Sequence, residues 1–169
     1  QLNLPPEPPK ILPAKILPSA GEDAVKQLVF SEDGGTVVAL NAGYDTASVR
    51  AWKTDTGELL WEKKTSPQAV VTPDAKRLVE PAKGKLILRE LPDGTEVRSW
   101  AATGKLLKDQ KFTPDGKTLV RRHDGLPDGL SFKGYDVAKG ELQFDHKVAT
   151  EPDLCEFQPL PDNEHLVYY

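Results

Sequence analysis

Apolar residues in this chain come in short bursts, each closed by a turn signal. Val37-Val38-Ala39-Leu40, Leu86-Ile87-Leu88 and Leu119-Val120 are rich in β-branched residues or Leu and predict strands. Ala47 to Trp52 and Leu86 to Leu91 could be read as helix. Both are too short for one, and turn residues cut both off.

The bursts recur. Phe30-Ser31-Glu32-Asp33-Gly34, Val71-Thr72-Pro73-Asp74-Ala75 and Phe112-Thr113-Pro114-Asp115-Gly116 share an apolar anchor, a small polar residue and an Asp-centred turn. Phe157-Gln158-Pro159-Leu160-Pro161-Asp162-Asn163 repeats the pattern more loosely, and the four anchors are 41, 41 and 45 residues apart. A second series runs out of phase: Trp52 to Gly57, Arg89 to Gly94 and Tyr135 to Gly140, each with Gly five residues after the first position. Asp bonding to its own backbone and Gly taking positive φ are what such turns require. Two turns per period imply two hairpins per period. Four strands in ~40–45 residues is the size of a propeller blade.

The fold predicted is therefore all-β: propeller blades of four antiparallel strands, a to d, about three and a half in number and part of a larger propeller. Blade one spans 25–65, blade two 66–103 and blade three 104–150, with a partial fourth over 151–169. Residues 1–24 form a proline-rich lead-in with the tandem Lys10 to Ala14 and Lys15 to Ser19. It reads equally as a polyproline linker or, over Ala14 to Leu17, as an outer edge strand.

Charge changes the picture only by exclusion. Lys plus Arg number 22 against 26 Asp plus Glu, a net charge of −4, which argues against sequence-independent nucleic-acid binding. No apolar run approaches the ~20 residues of a spanning helix, so no membrane insertion is expected. The lone Cys155 cannot close an intrachain disulfide and reads as a small buried hydrophobe. The chain opens with Gln1 and holds no Met, the expectation for a processed chain or an excerpt.

The phased motifs resemble known repeats. FSEDGGT (Phe30 to Thr36) and FTPDGKT (Phe112 to Thr118) look like the turn between the first two strands of bacterial WD-repeat blades. VRAWKTDTG (Val49 to Gly57), LILRELPDG (Leu86 to Gly94) and FKGYDVAKG (Phe132 to Gly140) look like the strand and turn that carry the Trp-Asp pair. No repeat keeps that pair whole, and the Gly-His pair is absent. Asp45 and Asp128 each lie seven residues before the third-strand position, close to the family's structural Asp. WKTDTGELLW (Trp52 to Trp61) is similar to the tryptophan-docking repeat of quinoprotein-like propellers, which include outer-membrane assembly scaffolds.

Candidate chemistry is sparse. His123, His146 and His165 lack the spacing of a metal site, and no GxSxG, HExxH or phosphate-cradling loop is present. No catalytic residue, cofactor or metal is assigned. Trp52, Trp61 and Trp100 read as packing between blades rather than as a ligand cage. The function implied is a non-catalytic scaffold for another protein. The alternative is a quinoprotein-like propeller, as an oxidoreductase binding pyrroloquinoline quinone or as an assembly scaffold. Missing blades are expected from further chain or from self-association. The expected docking residues are Arg121, Arg122, His123 and Asp124, read as part of a charged b–c loop from Arg121 to Gly129, with Tyr44 and Asp45 on the same face. An acidic partner segment fits them.

Overall fold

A computed structural model describes residues 24–43, 47–102, 109–125, 129–148 and 156–168. Among these there is no helix. Three four-stranded antiparallel sheets and one two-stranded sheet follow one another along the chain. The first holds β1 (Ala24–Phe30), β2 (Thr36–Ala42), β3 (Ala47–Lys53) and β4 (Leu59–Thr65) in sequence order. The second holds β5 (Val70–Val71), β6 (Arg77–Ala82), β7 (Lys85–Glu90) and β8 (Glu96–Ala101). The third holds β9 (Gln110–Phe112), β10 (Thr118–Gly125), β11 (Gly129–Asp136) and β12 (Glu141–Lys147). Strands β13 (Phe157–Pro159) and β14 (Leu166–Tyr168) form the last pair. This is the all-β arrangement of propeller blades that the repeat spacing predicts.

The turns between the first two strands of each blade explain why the repeat is written as it is. Ser31, Thr72 and Thr113 donate their hydroxyls to Asp33, Asp74 and Asp115 at 2.6, 2.6 and 2.7 Å. The same hydroxyls accept the backbone N–H of Thr36, Arg77 and Thr118. Each Asp then accepts the N–H two residues on, from Gly35, Lys76 and Lys117. The hydroxyl, the Asp carboxylate and two backbone N–H groups of each turn are thus satisfied locally. The residue after each Asp takes positive φ: 68° at Gly34, 59° at Ala75, 71° at Gly116 and 61° at Asn163. The fourth turn departs from the others, because Leu160 stands where they have a hydroxyl. There Asp162 accepts from the N–H of His165 at 3.0 Å, and its second oxygen lies 2.7 Å from His165 Nδ1.

Blades stack through apolar faces. Because the middle strands are covered on both sides, β2 buries five consecutive residues, Val37 to Asn41. Val38, Leu40, Val49 and Ala51 of blade one meet Ala69, Val71 and Leu78 of blade two, with Trp61 packed alongside. Val79, Leu86, Leu88 and Trp100 of blade two meet Phe112, Leu119, Tyr135 and Val137 of blade three. Blade three reaches the last strand pair through Phe132 and Phe157, whose rings lie 5.3 Å apart and tilted at 59°. Trp61 and Trp100 are therefore interblade packing residues, as expected. Polar clasps join the inner strands. The Gln27 amide donates to Val71 O and accepts from Val71 N, both at 2.8 Å, and Gln110 Nε2 donates to Gln68 O. Each outer strand is joined to its neighbour over a bulge, at Ala51/Trp52, Leu88/Arg89 and Gly134/Tyr135.

Candidate functional site

The structure corrects the placement of the charged segment. Arg121, Arg122, His123 and Asp124 lie in strand β10, not in a b–c loop, and the connection to β11 is only 126–128. The ladder runs unbroken from Thr118↔Asp136 through Arg121↔Lys133, Arg122↔Phe132, His123↔Ser131 and Asp124↔Leu130 to Gly125↔Gly129. Backbone pairing sets the length of a strand, and long side chains can lay their apolar stems between blades. Charge alone did not end it. Arg121, Arg122 and His123 are all buried, at 4%, 9% and 7% exposure. Tyr44 and Asp45 lie outside the described residues, as do Leu126, Pro127, Asp128, Cys155 and the lead-in with its candidate strand at Ala14 to Leu17.

Alternation divides these side chains between two interblade spaces. Leu119 belongs to the core shared with blade two, so Arg121 and His123, two and four residues on, point to that side. Val120 belongs to the core shared with the last strand pair, so Arg122 points there. Arg122 is held by Asp109, whose carbonyl accepts its backbone N–H at 3.1 Å and whose carboxylate lies 3.4 Å from Nη1. Arg121 has a different setting. Its Nε and Nη1 are buried without a hydrogen-bond partner, and burial pushes the guanidinium down to about 10, an effect Tyr135 partly opposes. Directly opposite stands Lys133, an ion-pair partner of Asp145 at 3.4 Å. Sequence reasoning missed Lys133 and Gln110 as neighbours of this site. Folding the hairpin symmetrically about Gly125 and Gly129 would have placed Lys133 opposite Arg121.

The opposite end of blades two and three carries a cleft of about 320 Å³ lined by Pro73, Asp74, Arg77, Asp115, Lys117 and Asp136. Its carboxylates are engaged in the turns: Asp74 and Asp115 as described, and Asp136 by accepting Lys139 N–H at 2.8 Å. Asp33, the equivalent residue of blade one, is held below the usual carboxylate range by its Ser31 hydrogen bond and then by the Gly35 N–H. His146 is the penultimate residue of strand β12 and His165 precedes β14. Among the described residues no three His, Cys, Asp or Glu side chains gather as metal ligands would.

Blade one presents a third surface. Phe30, Leu28 and Val25 lie opposite Val37, Ala39 and Asn41, so all six point away from blade two. Phe30, Leu28 and Val25 are 56%, 53% and 61% exposed. Val37, Ala39 and Trp52 form a buried cluster on the same side.

Comparison with known proteins bears on the fold. No family model matches the sequence, and no curated protein does. Solved structures do match. The hydrazine synthase of Kuenenia stuttgartiensis superposes with a TM-score of 0.61 at 20% identity, over 82% of this chain and 41% of that one. U3-55K gives 0.60 at 12% identity, over 86% and 45%, and the WD40 repeats of RRP9 give 0.61 at 11%, over 92% and 53%. The fold is that of a WD-repeat-like β-propeller. The chain spans about half the length of the solved structures it matches.

Proposed function

We propose that this chain is a protein-interaction scaffold, in which rigid blades hold contact surfaces for other polypeptide. The observation that carries the reading is the outward side of β1, where Val25, Leu28 and Phe30 expose more than half of their surface on one face. Contiguous apolar surface of that kind marks protein contact sites. Further chain or a second copy is the natural occupant, since a propeller blade stacks on another blade through such faces. A second contact region is read at the b–c end of blade three, with Arg121, Arg122, His123 and Asp124 on β10 and Tyr44 and Asp45 as its expected neighbours. Because Arg121, Arg122 and His123 are buried between blades, an acidic partner segment would have to enter the interblade spaces to meet them. The same fold carries an enzyme and WD40 repeat structures, so function is read from these surfaces and not from the fold.

The test substitutes the exposed face, where folding is least disturbed. Leu28→Lys with Phe30→Glu should leave the far-UV circular dichroism unchanged and reduce association, measured by sedimentation velocity and by capture of partners from the native source. Unchanged association in the double variant, or none in the unaltered protein, would overturn the reading.

A further inference from the structure

Arg121 is the most deeply buried charged side chain among the described residues, at 4% exposure. Its row across the third sheet is Gln110, Arg121, Lys133 and Asp145, each in register with the next. Two cations thus stand side by side, and the single carboxylate of the row is engaged with Lys133 at 3.4 Å. Blade two contributes Val70, Val79, Leu86, Leu88 and Trp100 to this interblade core, and Glu90, the acidic residue on the same face as Leu86 and Leu88, is engaged with Arg77 at 2.8 Å. In the same interblade core, the Tyr135 hydroxyl and Trp100 Nε1 are also buried without hydrogen-bond partners.

Blade two shows what occupies the equivalent positions when the charges balance. Leu78 pairs with Arg89 as Leu119 pairs with Tyr135, so Glu80 is the counterpart of Arg121. Arg89 Nε donates to Glu80 Oε1 at 2.6 Å, and Glu80 Oε2 accepts the Thr65 hydroxyl at 2.9 Å. Blade two therefore holds a matched acid and base, whereas in blade three the acid of the row, Asp145, pairs with Lys133, and among the described residues none is bonded to Arg121 Nε or Nη1.

We propose that the space between blades two and three binds an oxyanion, a carboxylate or phosphate group, on the Arg121 guanidinium. An unpaired cation in that setting is destabilising, and a water molecule supplies hydrogen-bond acceptors without supplying charge. The guanidinium fork matches the two oxygens of a carboxylate or phosphate. The buried Tyr135 O–H and Trp100 N–H are further donors in the same core. Such a group has two sources, a free small anion or an acidic side chain of a docked peptide. The inference does not depend on the exposed face of blade one.

Thermal unfolding of the full chain tests it, in acetate and phosphate against chloride at matched ionic strength, and with hexaglutamate against hexaglutamine. The oxyanion should raise the midpoint by about 4 °C at ten times its dissociation constant, and Arg98→Gln, a surface control, should keep that rise. Arg121→Met should lose the rise and, in chloride, melt no lower than the unaltered protein. A shift with hexaglutamate but not hexaglutamine identifies a peptide carboxylate as a source. A shift with phosphate or acetate alone identifies a free anion. Equal midpoints in every anion and peptide, or a rise retained in Arg121→Met, would overturn the proposal. Should Arg121→Met fail to fold, the Arg121 Nε–H resonance of the unaltered protein decides: it moves on phosphate titration if the anion binds and stays fixed if none does.

Discussion

Gly34 and Gly116 occupy the same place in two copies of one turn, yet replacing each by Ala should have unequal effects. Both have positive φ, 68° and 71°, where a β-carbon costs about 1–2 kcal/mol. Ala also restricts the unfolded chain, which returns about 0.5–1 kcal/mol. Around Gly34 a β-carbon would meet nothing within 4 Å, so only these two terms act and Gly34→Ala should destabilise by about 0.5–1 kcal/mol. At Gly116 the added carbon would lie 3.3 Å from Pro73 Cδ of the neighbouring blade, a ring that cannot swing aside. Gly116→Ala should therefore lose about 1 kcal/mol more, within the usual penalty for overpacking. Ala75 holds this place naturally in blade two at φ 59°, which shows that the turn accepts a β-carbon at a modest cost. Urea denaturation is the assay. With a slope of about 2 kcal/mol/M, Gly34→Ala should lower the midpoint by roughly 0.25–0.5 M and Gly116→Ala by about twice that or more. Equal shifts in the two variants would show that the Pro73 contact is not a constraint. A higher midpoint in Gly34→Ala would refute the conformational argument itself.

Three further outcomes are expected. Phe132→Ala, at a site with 0% exposure packed against the tilted Phe157 ring, should cost about 3–5 kcal/mol and reduce the near-ultraviolet circular dichroism, and a loss under 1 kcal/mol would contradict the packing described. Trp100→Phe removes a buried N–H that has no partner, so its loss should stay below about 1.5 kcal/mol in chemical denaturation despite the smaller ring, and a loss of 3 kcal/mol or more would show that the indole nitrogen is bonded. The His165 imidazole is raised by its hydrogen bond to Asp162, and the Asp162 carboxyl is lowered by the Glu164 N–H and then by His165. The stability His165 contributes is thus fully present below its ordinary pKa of about 6.5 and lost as pH rises through the raised value. Asp162 contributes above its ordinary value near 3.9 and loses its share as pH falls through the lowered one. Proton NMR should show His165 titrating above a free imidazole in the unaltered protein and at the free value in Asp162→Asn, and a free value in both would exclude the pairing.

The turns were legible in the sequence because their chemistry is local. Ser31, Thr72 and Thr113 each find their partner two residues away, so the pattern could be recognised without knowing any long-range contact. Trp61 and Trp100 were readable as packing for a similar reason, since bulky aromatics in outer strands have little else to do in stacked blades. The candidate site was harder. Arg121, Arg122, His123 and Asp124 look like a loop when polarity alone is weighed, and only their pairing with residues 130–133 shows them to be strand. The burial of Arg121, Arg122 and His123 depends on how blades face each other, which no stretch of residues encodes alone. The missing counter-charge of Arg121 becomes visible only beside Glu80 and Arg89 in the neighbouring blade.

The Gln27 clasp gives one backbone position an unusual informational value. The Val71 amide is protected by a side chain of another blade and not by its own sheet. Its hydrogen exchange therefore measures whether two blades remain docked, while the Leu88 and Arg98 pair within blade two measures whether that sheet remains folded. A protein built from repeats can lose contact between units before any unit melts. Here a single proton keeps the record of that first separation.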